Sequence, residues 1–509
     1  KSKPSWTSNR INIEETIPER HWHQNDPGVV PNVLITGAGS PAGMTYNEGD
    51  LLPEVFQQVP IHAEPYYNVV RAYLPARKGA GYTLEIEDIV KSRDKWFRPI
   101  DVAIAPDGSL FVADWYDPIL GGGAAADADK GRIYRVAPST ETYTIAAQDF
   151  TTIDGAIRGL KNPNPETRFE AFRELESNGR KAYPVLQDLW DSDNPVFRAR
   201  ALWLLAKLDT IDGFLRDALK DNNVDIRMAA VRAVALNKEN VVPYLRAVVD
   251  DDNVAVRREV AIALRYANNK EAAELWVRLA EQHDGRDRWY LEALGIASDL
   301  HPNLYFETWL DKTDVDLSDG ADQDIVWRSR SEKALPLLAE LIKTTEDPVS
   351  YQRYFRAFDF HTGKAKTNVL VSLIGLVAKD HKLFSTLALP QMSSEYVELT
   401  GLLRTALEDA LTETHGTIAF VNLVDKFSLK DKLHELVNIA KSSEDPSVAS
   451  AATDLLLKFK ATSLLTDALH RNDSASVSLL QSMRGKGSAE VVGMIVSVIE
   501  EEKLTLNVR

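Results

Sequence analysis

The sequence predicts a mixed, mainly α-helical chain: a strand-rich first quarter followed by a long array of paired helices. Two observations carry that reading, a repeat and a shift in composition. Between Asn164 and Leu264 one pattern is written four times. Arg168, Arg198, Arg227 and Arg257 are spaced 30, 29 and 30 residues apart, and four positions before each stands Asn164, Asn194, Asn223 or Asn253. Three positions after each arginine comes Ala171, Ala201, Ala230 or Val260, and seven after comes Leu175, Leu205, Val234 or Leu264. An Asx residue ahead of an apolar stripe at helical spacing is an N-capped amphipathic helix. The interval leaves room for one more helix and two turns. Units of that kind bury their apolar faces against neighbouring units, as an α-solenoid of HEAT-type repeats does.

The second observation is punctuation. Residues 1–140 hold 13 of the 23 prolines and 12 of the 26 glycines, which favours short strands and turns. Val33–Thr36 reads as a strand before the turn-rich Gly37–Gly43, and Asn68–Leu74 and Tyr82–Ile86 as further strands. The clearest hairpin is Asp101–Ala105, the turn Pro106-Asp107-Gly108, and Ser109–Asp114. Val102/Ile104 and Leu110/Val112 alternate as a half-buried antiparallel pair should. A glycine-rich loop, Gly121–Gly131, leads to Arg132–Val136. Three such strands are the makings of a propeller blade. The predicted domains are 1–140, the C-terminal part of a β-propeller; 141–154, a linker, with the pattern changing to helical around Thr140–Asp154; and 155–509, the solenoid.

Beyond Leu264 the repeat degrades. Glu346–Val349 and Glu444–Val448 look like turns between paired helices, while Thr308–Asp324 carries many acids and is expected to be an exposed excursion. The apolar runs Val369–Ala378 and Val491–Ile499 are about half a membrane span and are expected to be solenoid core, so no membrane span is predicted. A net charge of −16 argues against nucleic acid as a partner. The absence of cysteine excludes disulfides, thiolate metal sites, a cysteine nucleophile and CxxCH haem attachment within these 509 residues. The abrupt ends suggest a processed or truncated piece.

Candidate chemistry is sparse. Gly37–Gly43 is spaced GxGxxxG, but no helix is expected after it, so the dinucleotide-loop reading fails and a turn is expected. Asp114, Asp117, Asp127 and Asp129 share one loop region and offer hard oxygen ligands for calcium. Their spacing matches no EF-hand loop and lacks a closing glutamate, so a solvated inter-strand loop is the favoured reading. His21, His23 and His62, the last with Glu64 as an orienting partner, are placed at a propeller mouth; structural histidines are the alternative. The repeated arginines are expected to form a ladder to acids of the adjacent repeat, with Asp191, Asp221 and Asp251 close by. Trp203, Trp289 and Trp327 are expected in the core. No Ser/His/Asp, paired-carboxylate or phosphate-loop constellation appears.

Several stretches resemble one bacterial family. They are His21–Pro31, Gly37–Met44, Glu48–Pro53, His62–Glu64, Val69–Tyr73, Lys95–Pro99 through Pro106-Asp107-Gly108 to Ala113–Pro118, and Gly131–Val136. These look like the last part of the propeller in the large membrane-bound dehydrogenase-like proteins of Planctomycetes and Verrucomicrobia, distantly similar to quinoprotein glucose/sorbosone dehydrogenases. Arg288–Gly295 and Arg353–His361 are similar to the same family's HEAT region.

The resemblance implies an exported, periplasmic or membrane-associated protein with a propeller, HEAT repeats and a c-type cytochrome domain. A parent of that kind would oxidise a sugar or similar alcohol with a quinone (PQQ), calcium and haem. No cofactor is assigned to this chain itself, which is expected to be non-catalytic alone. Its expected partners are the remaining blades and the haem domain, in the parent or in a partner chain. The rival expectation is a non-catalytic propeller–HEAT scaffold that binds a protein or glycan.

Overall fold

The computed structural model describes residues 23–36, 41–118, 130–145, 147–208, 213–376, 381–399, 401–470 and 474–500. Contacts divide the chain into two compact units, Gly28–Ser329 and Lys1–Pro27 with Arg330–Arg509.

The first unit opens with two antiparallel meanders. β1 (Met44–Asn47), β2 (Val59–Glu64), β3 (Val69–Lys78) and β4 (Gly81–Lys91) pair in that order; β5 (Pro99–Ile104), β6 (Leu110–Asp114) and β7 (Arg132–Val136) form a second sheet. Alternation decides the packing. Ile61, Ala63, Val70 and Ala72 point into one core shared with Val102, Ile104, Leu110 and Val112, all nearly inaccessible to water. The Gly43 N–H donates to the Ile100 carbonyl (2.8 Å), and its carbonyl accepts from Ala63 (2.9 Å), which ties the sheets together. Pro60 is tolerated in β2 because β3 pairs with β2 only from Ile61 onward, so the missing N–H leaves no gap in that ladder. The described strands form two open sheets and no closed ring.

Helices follow: α1 (Ile153–Leu160), α2 (Pro165–Asn178), α3 (Tyr183–Trp190), α4 (Pro195–Leu208), α5 (Gly213–Ala218), α6 (Val224–Asn237), α7 (Val242–Leu245), α8 (Val254–Ala263), α9 (Lys270–Ala280), α10 (Arg288–Ser298), α11 (Pro302–Lys312) and α12 (Gly320–Arg328). The repeat-bearing helices α2, α4, α6 and α8 stack in one column, which continues through α10 and α12 where the sequence pattern has faded. All eight apolar positions of the repeat are buried, none above 1% exposure. The side chains of Asn164, Asn194, Asn223 and Asn253 accept backbone N–H bonds from the first turns of their helices, at 2.7–2.9 Å.

Two expectations are corrected. Val33–Thr36 is not a strand. The segment leading into it is held without a ladder, by Gly28 N–H on Glu292 (3.1 Å) and Arg288 on the Val29 carbonyl (3.3 Å). The first helix begins at Ile153, within the Thr140–Asp154 stretch where the pattern was expected to change, and Thr152 caps it by accepting from Gly155 N–H on its hydroxyl (3.1 Å). Thr308–Asp324 is no long excursion: α11 runs to Lys312 and α12 starts at Gly320. Tyr305, Phe306 and Trp309 form a buried stripe that outweighs the local charge, and His283 holds Asp324 at 2.9 Å.

The second unit is helical among its described residues, from α13 (Ala334–Thr344), α14 (Pro348–Phe358) and α15 (Gly363–Leu376) to Ala489–Glu500. Its polar centre is a bidentate pair between Arg356 and Asp26, both contacts 2.6 Å and both side chains buried. Arg356 also bonds Asp359, and Arg330 reaches the Pro27 carbonyl at 2.5 Å. The expected turns at Glu346–Val349 and Glu444–Val448 begin between helices, and Pro348 and Pro446 already open the next helix in each.

Candidate functional site

The repeated arginines share a design. Each turns part of its guanidinium back onto carbonyls before its own helix: Asn162 and Pro163 for Arg168, Trp190 for Arg198, Asp221 for Arg227, Asp251 for Arg257. The outward reach differs. Arg198 pairs with Asp221, and Arg227 takes Asp251 with two bonds of 2.7 and 2.9 Å. Arg168 bypasses Asp191 and meets Glu48, at 2.6 Å, in the loop after β1. Arg257 has the Tyr290 ring above it at 5.7 Å. The ladder thus fixes successive repeats to one another and, at its first rung, fixes the repeats to the sheets.

That seam between sheets and helices is extensive. Glu48 also accepts from Arg200 (3.0 Å), and Asn164 donates to the Ile104 carbonyl (2.7 Å) while capping α2. The β3–β4 hairpin reaches further along the column. Arg77 pairs with Asp225, Ala80 N–H donates to Asp287 (2.6 Å), and the Ala80 carbonyl accepts from Arg258. Arg258 is held by Glu259, which also takes Arg232 at 2.7 and 2.8 Å. Burial raises the Glu259 carboxyl's affinity for protons, but the two guanidinium groups outweigh it and the pKa lies below its ordinary value.

The predicted site residues fall elsewhere. His62 and Glu64 lie on the face of the first sheet turned away from the shared core, with Arg71 and Tyr73 on β3. His62 Nδ1 meets the Tyr73 hydroxyl at 3.0 Å, and its Nε2 has no partner among the described residues. Burial lowers the His62 pKa; Glu64 opposes that shift and Arg71 adds to it. His23 lies in a turn of the second unit at φ 53°, and His21 falls outside the described residues.

Asp114 ends β6 and staples a bend, accepting from Arg98 N–H (2.7 Å) and Tyr116 N–H (2.9 Å). Its other oxygen is buried without a partner among the described residues, while the Asp117 carbonyl takes Arg98 Nε at 3.0 Å. Asp127 and Asp129 lie outside the described residues. No three His, Asp or Glu side chains among the described residues are grouped to hold a metal. Without a cysteine the chain does not fit covalent haem attachment. No described helix is long and apolar enough to cross a membrane.

Two features were missed by sequence reasoning. One is an apolar ridge. Leu236 and Tyr266, 76% and 81% exposed, each stand nine residues after a ladder arginine and flank a groove of about 470 Å³. The repeat register could have revealed it. The other is a cleft of about 450 Å³ walled by Tyr82 and Trp289. Trp327 is fully buried, whereas Trp203 and Trp289 are only half-buried.

A family model described as a domain of unknown function, DUF7133, matches residues 11–140, and a model of HEAT repeats matches residues 211–295. No curated protein matches. Among solved structures, importin beta crystallised in ammonium sulfate aligns at 12% identity and a TM-score of 0.36, over 68% of this chain and 59% of that one. An engineered protein aligns at 16% identity and a TM-score of 0.20, over 68% of this chain and 88% of its own. The chain thus carries HEAT repeats, a helical scaffold of the kind used in protein interaction, behind a small antiparallel sheet region.

Proposed function

We propose that the chain is a scaffold, a HEAT array that holds the last blades of a propeller within an exported dehydrogenase-like redox protein. Residues 1–140 supply the blades, 141–154 the connection and 155–509 the array. The remaining blades, the quinone and calcium chemistry and the haem domain belong to the parent outside these residues, or to a partner chain. The observation that supports this reading is the grip on Ala80: its N–H is taken by Asp287 and its carbonyl by Arg258, so the sheets are clamped to the repeats at both ends of the seam. A spacer that fixes donor and acceptor domains needs such a clamp. The test is quinone-linked dye reduction with a panel of sugars and alcohols, by the parent from its native source and by this chain alone. Turnover by the parent only is expected; an intact parent inert to the whole panel would overturn the redox reading.

A second reading is a non-catalytic scaffold that docks a protein, and the Leu236–Tyr266 ridge favours it. Large apolar side chains repeated at the solenoid period and left in water are a contact surface in the making. A photo-crosslinking residue at position 266, expressed in the native host, should give one discrete adduct. A control at Phe169, 60% exposed on α2, should not. Equal labelling at both positions would count against the ridge.

A further inference from the structure

The two sheets of the first unit pack against each other through one face each, and their outer faces differ in kind. On β1–β4 the outer face is polar and paired within itself. His62 meets the Tyr73 hydroxyl at 3.0 Å, and Arg71 holds Asp88 at 3.1 Å. On β5–β7 the register sets Ala103, Phe111 and Arg135 in one row and Asp101, Ala113 and Ile133 in the next. Their neighbours Val102, Ile104, Leu110 and Val112 point into the shared core, so these two rows face away from it. Trp115, just past the end of β6, is the next residue in the same alternation.

The charged residues of this second face are committed. Asp101 folds back against Gly43, where a Cβ would strike its carboxylate, and accepts from Val102 N–H (2.9 Å). Arg135 pairs with Asp107 (2.9 Å) and donates to the Ser109 hydroxyl (3.2 Å). What is left is apolar and open. Ile133 is 74% exposed and Trp115 44%, and Ala103 is exposed as well. Tyr143, from the segment after β7, lies edge-on to Phe111 with ring centroids 5.6 Å apart and still leaves Ile133 and Trp115 in water.

The shared core shows what such a face accepts. There Ala63 and Ala72 alternate with Ile61 and Val70 and receive Val102, Ile104, Leu110 and Val112 of the facing sheet. Sheets packed in this way interdigitate small and large side chains across a gap of about 10 Å. Ala103 and Ala113 beside Phe111, Ile133 and Trp115 repeat that composition on the other side of the same sheet. We propose that the outer face of β5–β7 seats a further antiparallel sheet, the next blade of the parent, through apolar residues centred on Ile133 and Trp115. This rests on the reading of the chain as the end of a propeller, whose blades repeat around an axis. A neighbour of β1–β4, by contrast, would meet a polar face.

The test is hydroxyl-radical footprinting, read by mass spectrometry, of the protein isolated from its native source and of this chain alone. Oxidation of Trp115 and Ile133 should be about fivefold slower in the native protein, as at the dry centre of an interface. Phe169, exposed on α2, should be labelled equally in both. Ile133→Lys should leave the melting temperature of the chain alone unchanged and bring Trp115 labelling in the native protein up to that of the chain alone. Equal labelling of Trp115 and Ile133 in the two wild-type samples would overturn the proposal. So would protection that appears in the chain alone as its concentration rises, since the occupant would then be a second copy. Quinone-linked dye reduction on the same samples separates the two readings. Turnover with both residues still exposed would remove the seat and keep the redox role, and protection without turnover would do the reverse.

Discussion

The guanidinium of Arg328 occupies the space that a Cβ on Gly295 would fill. From there it donates to Glu292 (2.6 Å) and, with two bonds of 2.9 Å, to Asp299. Arg328 and Glu292 are buried, and Arg288 closes on Glu292 from the preceding turn at 2.7 Å. The stretch Arg288–Gly295 is thus a helix whose charged residues and glycine serve one buried ion cluster. Gly295→Ala should displace Arg328 and leave Glu292 short of a partner. The helix-propensity gain of about 1 kcal/mol is smaller than the loss from a broken buried pair, about 3–5 kcal/mol. A net destabilisation of about 2–4 kcal/mol is expected in urea unfolding. A gain of about 1 kcal/mol on Gly295→Ala, the propensity effect alone, would mean that the cluster adds nothing to stability.

The clamp at Ala80 gives a second expectation. Arg258→Ala removes the bond to the Ala80 carbonyl and half of the cover over Glu259, which is 5% exposed. A loss of about 2–4 kcal/mol should follow, since a buried carboxylate loses one of its two partners. Amide hydrogen exchange should quicken at the tip of the β3–β4 hairpin. Unchanged exchange there would separate the hairpin from the arginine and remove the support for a rigid seam.

Glu48 tests the first rung. Glu48→Gln removes the carboxylate that Arg168 and Arg200, both mostly buried, share, with only Glu166 left near Arg168, and should cost about 1–3 kcal/mol. Asp191→Ala should cost less than about 0.5 kcal/mol, because the exposed Asp191 bonds only Gln187, at 3.3–3.5 Å. The reverse order in thermal unfolding would restore Asp191 as the partner of Arg168.

That contrast shows what the sequence could tell. Arg198–Asp221 and Arg227–Asp251 were legible because they repeat, and a period of 30 residues carries its own neighbour relation. Arg168–Glu48 was not, because it crosses from a loop to a helix 120 residues on with no repeat to announce it. The β5–β6 hairpin was visible through alternation and its Pro-Asp-Gly turn, whereas β2 was hidden by Pro60 and by polar His62 and Glu64 on its outer face. Val33–Thr36 looked like a strand because four apolar or β-branched residues were read without a pairing partner. The cleft was invisible, since its walls come from three segments that only the fold brings together.

Lys366 supplies a pH expectation in the second unit. Burial pushes its pKa down from 10.5 to about 8; Asp359 resists the shift and Lys426, itself lowered by burial, adds to it. Below pH 8 the lysine is charged in both the folded and the unfolded chain, so the penalty for its burial is fully present. Between pH 8 and 10.5 the unfolded chain holds a proton that the folded one has released, so this group makes stability rise with pH through that window. Lys366→Met should therefore stabilise the chain at pH 7, by about 1–2 kcal/mol after allowance for solvent screening. The advantage should shrink steadily above pH 8 and vanish near pH 10.5. Urea unfolding of both proteins at pH 7, 9 and 10.5 measures the difference directly, with Asp359 and Lys426 present in each. A Lys366→Met variant less stable at pH 7, or a gain that does not change with pH, would show that the ammonium group is solvated in the folded chain.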